Sequence, residues 1–181
     1  MIGQPKTKMT AAEFFARPES NEPTELIKGE LIVSPAPVPM HQRCSRRLLI
    51  TVDSLIPDGE VFDAPIDLLL DGENILQPDL VWVSSNGRCV ITDKLLQGPP
   101  ELIIEILSPG TTRRDRDDKF EIYERHAVSE YWIVDPLEEY LEVYTHQNDH
   151  YVRQGVYGAG ETFVSAVLAG KMVDLNRVFG E

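Results

Sequence analysis

The stretch Glu101-Leu-Ile-Ile-Glu105-Ile-Leu107 sets a carboxylate inside an otherwise apolar run of strand character. A near-continuous apolar run of this length suits a strand covered on both faces, at the centre of a sheet. Alternation puts Glu101, Ile103, Glu105 and Leu107 on one face, with Leu102, Ile104 and Ile106 on the other. Glu101 starts the strand and reaches water, whereas Glu105 lies deeper. An ionised side chain in a low-dielectric interior is costly unless it is paired or bound to a cation. Pro78-Asp79 opens a second such run, 79–84, 26 residues before Glu105. Two acids on neighbouring strands suggest a divalent metal held between them. Each acid alone also has a plainer account: Glu105 pairs with a structural arginine, and Pro-Asp is common at strand entries.

Downstream, Ser108-Pro109-Gly110 ends the strand, and Thr112-x-x-Asp115 matches a capping box opening a helix. That helix is expected to run to about Ala127, burying Phe120, Tyr123 and Ala127 at i, i+3 and i+7. Two strands, 130–135 and 140–146, follow. A strand, a helix and a strand in succession form a βαβ unit, so 101–107 and 130–135 are expected to be parallel. Upstream, 24–34 reads as a hairpin turning at Lys28-Gly29, and Pro35, Pro37 and Pro39 force an extended connection. Leu48, Leu49, Val52 and Leu55 recur at helical spacing over 41–55. The segment 60–70 reads as a strand broken at Pro65, followed by a turn at 71–74. In the tail, Gly158-Ala-Gly160 is a turn before a strand at 162–167. Residues 1–20 are a loosely attached segment in which Thr10 and Glu13 make a capping box.

The 181 residues, 42% hydrophobic and 26% charged, are enough for one substantial core and one domain, 1–181. Apolar runs of about seven residues fall well short of the roughly 20 that cross a bilayer, so no membrane partner is expected. Residues 1–16 have no apolar core region and do not read as a secretory signal. Cys44 and Cys89 form no disulfide framework, and a reducing cytoplasm is the expected compartment. A net charge of −13 argues against a protein that coats nucleic acid, since counterion release needs clustered cations. The dense basic segments are Arg43, Arg46 and Arg47, and Arg113, Arg114, Arg116 and Lys119.

Oxygen-only ligands such as Asp79 and Glu105 suit Mg²⁺ or Mn²⁺ better than zinc. A metal so held polarises a phosphoryl oxygen and lowers the pKa of bound water, as phosphodiester hydrolysis requires. Lys119, on the helix after the Glu105 strand, supplies a cation near the attacking water. Asp115, Lys119 and Tyr123 share a helical face at i, i+4 and i+8. The alternative makes Asp115 a cap and Lys119 half of an exposed ion pair. His41 either places substrate or merely starts its helix. His146 and His150 have metal-like spacing, but Gln147-Asn148-Asp149 between them reads as a turn.

Pro78-Asp79, Glu105-Ile-Leu-Ser-Pro109, Arg114 to Lys119 and Tyr123 together resemble the PD-(D/E)xK nuclease superfamily. More narrowly they resemble the Uma-type family of restriction-endonuclease-like bacterial proteins. The hairpin Glu25-Leu-Ile-Lys-Gly-Glu-Leu-Ile-Val-Ser-Pro35, Met40-His41-Gln42 and Tyr131-Trp-Ile-Val-Asp-Pro136 fit that family too. The resemblance implies an α/β, restriction-endonuclease-like mixed sheet flanked by helices, with the β-hairpin as an N-terminal extension. It implies a Mg²⁺-dependent endonuclease acting on DNA, with Asp79, Glu105 and the carbonyl of Ile106 as metal ligands and Lys119 as the catalytic amine. Glu30 is a further acid for the metal, or simply solvated. One departure stands out: Leu107 occupies the position, two after the glutamate, where the superfamily carries its lysine. Lys119 then serves as a migrated lysine. A non-catalytic binding protein on the same scaffold is the competing expectation. Paired sheet edges make a homodimer the expected assembly.

Overall fold

The computed structural model describes residues 8–18, 22–108 and 115–180, with the side chain of Asp115 excluded. The predicted cap at Thr112, and Arg113 and Arg114, lie outside the described residues.

The Glu105 strand is β9 (Leu102–Ile106), and all five of its residues are buried. With β3 (Glu60–Asp63), β6 (Leu80–Val83), β10 (Glu130–Asp135), β11 (Tyr140–Gln147) and β12 (His150–Gly158) it forms one six-stranded sheet, ordered β12-β11-β10-β9-β6-β3. β9 runs parallel to β10 and antiparallel to β6, so the sheet is mixed. Its two faces are both covered, which explains the apolar continuity of the central strands. Leu102, Ile104 and Ile106 pack with Cys44, Leu48 and Val52 of helix α2 (Pro39–Asp53) on one side. Ile103 and Leu107 pack on the other side with Ile122 and Tyr123 of a shorter helix, α3 (Phe120–Arg125).

A second six-stranded sheet holds β1 (Thr24–Ile27), β2 (Glu30–Val33), β4 (Leu68–Asp71), β5 (Asn74–Leu76), β7 (Val90–Ile91) and β8 (Leu96–Gln97). The hairpin β1–β2 turns where expected, with Lys28 at φ 52° and Gly29 at φ 79°. Two successive left-handed residues match the twist of the flanking strands. The hairpin is built into this sheet by pairing of β1 with β5. Its turn also holds the N-terminal segment: Met9 N–H donates to the Gly29 carbonyl, and Ala11 N–H to that of Gly72. There Thr10 and Glu13 form the expected capping box on helix α1 (Ala11–Phe15).

The segment 60–70 does not make one interrupted strand. It leaves the first sheet after β3 and enters the second at β4. Proline, with no N–H to give a ladder, suits the crossing point at Pro65. The helix expected from 112 to 127 also differs. Residues Asp115–Lys119 form one π-helical turn, and among the described residues of this segment only Phe120–Arg125 is α-helical. Ala127 has φ 55° and terminates the helix instead of packing beneath it. The buried pair is Ile122 and Tyr123. The wider π turn shifts the face that Lys119 and Tyr123 present relative to simple i, i+4 counting.

Strand β12 had no counterpart in the sequence reading. It follows a tight turn at Asn148 (φ 50°) and Asp149 (φ 67°), which separates His146 from His150 as a hairpin. As an edge strand it is largely exposed and lacks a clean apolar alternation. The tail contributes β13 (Thr162–Val164), β14 (Met172–Asp174) and helix α4 (Asn176–Phe179). Phe163, Val173 and Val178 complete the core over α2. Among the described residues no helix is long and apolar enough to cross a membrane.

A buried glutamate ties this tail to the sheet. The Oε1 atom of Glu130 accepts from Trp132 Nε1 at 2.7 Å and from Ser165 Oγ at 2.6 Å, and its Oε2 accepts from Ala166 N–H at 3.1 Å. Burial pushes the Glu130 carboxyl above its ordinary value of 4.5, against hydrogen bonds from Ser165, Trp132 and the backbone that favour ionisation. Because the folded value exceeds the unfolded one, the stability linked to its proton is fully present below the unfolded value and is lost as pH rises through the folded one. Urea unfolding from about pH 4 to about pH 7 should therefore show wild type losing stability relative to Glu130→Gln as pH rises. A difference that stays constant across that window would contradict the raised value.

Candidate functional site

Glu105 points from β9 toward α3, into a buried cluster of charge. Its Oε1 accepts from Lys119 Nζ at 2.9 Å and from the Tyr123 hydroxyl at 2.7 Å. Lys119 lies equally close, 2.9 Å, to Oε1 of Glu25 on β1. Glu25 Oε1 in turn accepts the backbone N–H of Gln77 at 2.8 Å. The side chains of Glu25, Glu105 and Lys119 are each no more than 5% exposed. The π turn is what delivers Lys119 here, immediately before α3 begins. Burial, and then the charge of Glu105, pushes the Tyr123 phenol well above its ordinary value of 10. Tyr123 therefore keeps its proton and acts as a donor.

Asp79, at the entry to β6, reaches the same region from the other side of β9. Its Oδ2 accepts the backbone N–H of Ile106 at 2.7 Å, and its Oδ1 lies 3.2 Å from His41 Nε2. His41 is in the first turns of α2, which starts at Pro39 after the extended proline connection, a favoured position for proline in a helix. Asp79, Glu105, Lys119, Glu25, His41 and Ile106 all line one cavity of about 530 Å³. Gln42 and Ser108 line it as well.

The predicted residues are thus brought together, with exceptions. Glu30 is exposed on β2, opposite Ile27, and is not among the residues lining the cavity. The hairpin acid at the site is Glu25. Sequence reasoning passed over it, although it carried the signal read in Glu105: an acid flanked by strand-forming apolar residues, here Leu26 and Ile27, both buried. Asp115 lies in the π turn, and its side chain is outside the described residues. Ile106, expected to offer its carbonyl, makes its observed contact through its N–H. Leu107, in the superfamily's lysine position, is buried and apolar, and the ammonium beside Glu105 comes from Lys119.

Among the described residues, three carboxylates, of Glu25, Glu105 and Asp79, meet one ammonium, that of Lys119, a formal charge of −2 before His41 is counted. Buried like charges raise one another's energy unless cations compensate them. Hard oxygen donors with an excess of negative charge fit a divalent ion of the Mg²⁺ type. Among the described residues no three or more His, Cys, Asp or Glu side chains form a metal-holding group by themselves. A set of two carboxylates and a peptide carbonyl is the one to test. Cys44, near Asp79, is no nucleophile at neutral pH: burial, then the Asp79 charge, raises its thiol to about 12.

Comparison with known proteins gives the family and the fold. The model of the Uma2 family, described as "Putative restriction endonuclease", matches residues 11–175. The chain belongs to the Uma2 family. Uma2 membership supports a nuclease role. An uncharacterized protein of Synechocystis sp. is 26% identical over 157 residues, covering 81% of this chain and 82% of that one. A crystal structure from Anabaena variabilis, titled as a putative nuclease belonging to DUF820, matches with TM-score 0.76 at 22% identity, covering 94% of this chain and 97% of that chain. That likeness is one of fold: this Uma2 chain shares the mixed α/β architecture of that structure.

Proposed function

We propose that this chain is an endonuclease that hydrolyses phosphodiester bonds in DNA, using Mg²⁺ or Mn²⁺. The observation that carries the reading is the convergence of Asp79, Glu105 and Lys119 on one cavity. Asp79, Glu105 and the Ile106 carbonyl would hold the ion. The ion would supply Lewis-acid polarisation of a phosphoryl oxygen and a more acidic bound water. Lys119 holds its ammonium within hydrogen-bond distance of Glu105, where it orients a water and stabilises charge developing on the phosphate. Tyr123 fixes the Glu105 carboxylate from behind, and His41 does the same for Asp79. Glu25 anchors Lys119 so that its position does not depend on substrate. Cutting both strands of a duplex takes two such cavities, which fits assembly of two copies of the chain. Two buried free cysteines, Cys44 and Cys89, suit a reducing cytoplasm.

The test is nicking of supercoiled plasmid by the purified chain with Mg²⁺ or Mn²⁺, and with EDTA. Nicking that requires the metal is the expected result. A second reading, a non-catalytic binding protein, draws on one observation: Lys119 already bridges Glu25 and Glu105. Mn²⁺ binding in calorimetry, with no cleavage of DNA under any of these conditions, would select it.

A further inference from the structure

Among the described residues the two basic clusters of the sequence differ. In the second, Arg116 is taken up by Glu142 at 2.7 Å and by the Tyr140 hydroxyl at 2.7 Å, and Lys119 is buried in the cavity. Lys8, Lys28, Arg125 and Arg153 also each bridge to a carboxylate. Arg43 and Arg46 on α2 differ. Both are exposed, and among the described residues neither has an ion-pair partner, in a chain with 30 acids. Their neighbour Arg47 instead donates from Nη1 to the Val178 carbonyl at 3.3 Å and holds α2 against the tail. The only acid in Pro39–Asp53 is Asp53, at the far end.

The geometry of α2 ties these arginines to the cavity. Val38, His41, Gln42 and Ser45 line the cavity at helical i, i+3, i+4 and i+7 spacing. Gln42 and Arg46 are i, i+4 neighbours, so the cationic row begins at the cavity's edge and turns outward through Arg43. We propose that this exposed flank of α2 binds the sugar-phosphate backbone of duplex DNA beside the cavity, with Arg43 and Arg46 each against one phosphate. The proposal rests on the reading of DNA as substrate. It also answers the charge problem: a chain of net charge −13 approaches a polyanion only through a local cationic surface, and this surface adjoins the one site that needs a phosphate delivered.

Counterion release makes the proposal quantitative. Each phosphate contact contributes about 0.9 to the slope of log affinity against log salt. Binding of a labelled duplex is followed by fluorescence anisotropy in EDTA, between about 0.05 and 0.2 M potassium chloride. The double variant Arg43→Ala/Arg46→Ala should flatten the slope by about 1.8 and weaken binding about 30-fold near 0.15 M salt. Arg43→Lys/Arg46→Lys should restore most of the slope, because the contact is one of charge. Alanine favours helix, so α2 is retained, and far-UV circular dichroism verifies it. An unchanged slope in the alanine variant, or no binding by wild type, overturns the proposal. Binding with the arginine-dependent slope but no cleavage in the plasmid assay upholds it and removes the nuclease reading instead.

Discussion

Lys119→Met should lower folding stability by about 3–5 kcal/mol and abolish DNA cleavage in the same variant. The ammonium of Lys119 is the cation shared by Glu25 and Glu105, each 2.9 Å away and each almost fully buried. Its removal leaves two like charges facing one another in a low dielectric, a far larger penalty than losing an exposed pair. Methionine keeps most of the side-chain volume, so the loss reports charge and not a cavity. Chemical denaturation measures the stability, and Lys119→Met/Glu25→Gln separates the two roles. Neutralising Glu25 should recover much of the stability without recovering cleavage. A single variant as stable as wild type would mean that the contacts of Lys119 with the two acids contribute nothing net to folding. Restored cleavage in the double variant would exclude the amine from the chemistry.

The second large effect is on cleavage alone. Glu105→Gln and Asp79→Asn should each reduce metal-dependent nicking at least about 100-fold, near 2.7 kcal/mol at 1.36 kcal/mol per factor of ten. Both substitutions retain an oxygen acceptor. Glutamine still accepts from Lys119 and Tyr123, and asparagine still accepts from the Ile106 N–H. Alanine at 79 is a poorer choice. In the structure Asp79 accepts from the buried Ile106 N–H and contacts His41, so truncation removes the acceptor of that backbone donor at a cost of about 1–3 kcal/mol. Wild-type nicking by Glu105→Gln would remove that carboxylate from the metal set.

Much of the scaffold was readable because its signals are local. A turn at Lys28-Gly29 follows from a glycine, which takes positive φ freely, set between two strand-like runs, and the parallel pairing of β9 with β10 follows from a strand, a helix and a strand in succession. The near-continuous apolar character of β9 told that both sides of its sheet are covered. The π turn that precedes α3 was not legible, because a π turn and an α turn carry similar polar sequence and differ only in which carbonyl each N–H meets. β12 was invisible, since an edge strand in water needs no apolar alternation. The separation of β3 from β4 was equally hidden: proline signals a break, not which sheet the chain joins next.

At the site the same division holds. Side-chain alternation by itself determined that Glu105 is buried and faces away from Ile104 and Ile106, and the proline before Asp79 set that acid at a strand entry. Which acid of the hairpin joins them was decided only by tertiary structure. Glu25 and Glu30 lie on paired strands of one hairpin, and it is the packing of that hairpin in the second sheet that buries the first and exposes the second. Lys119 likewise could be placed on the element after β9 from sequence. Its partners could not, because charge compensation acts through space, and here it joins segments separated by most of the chain.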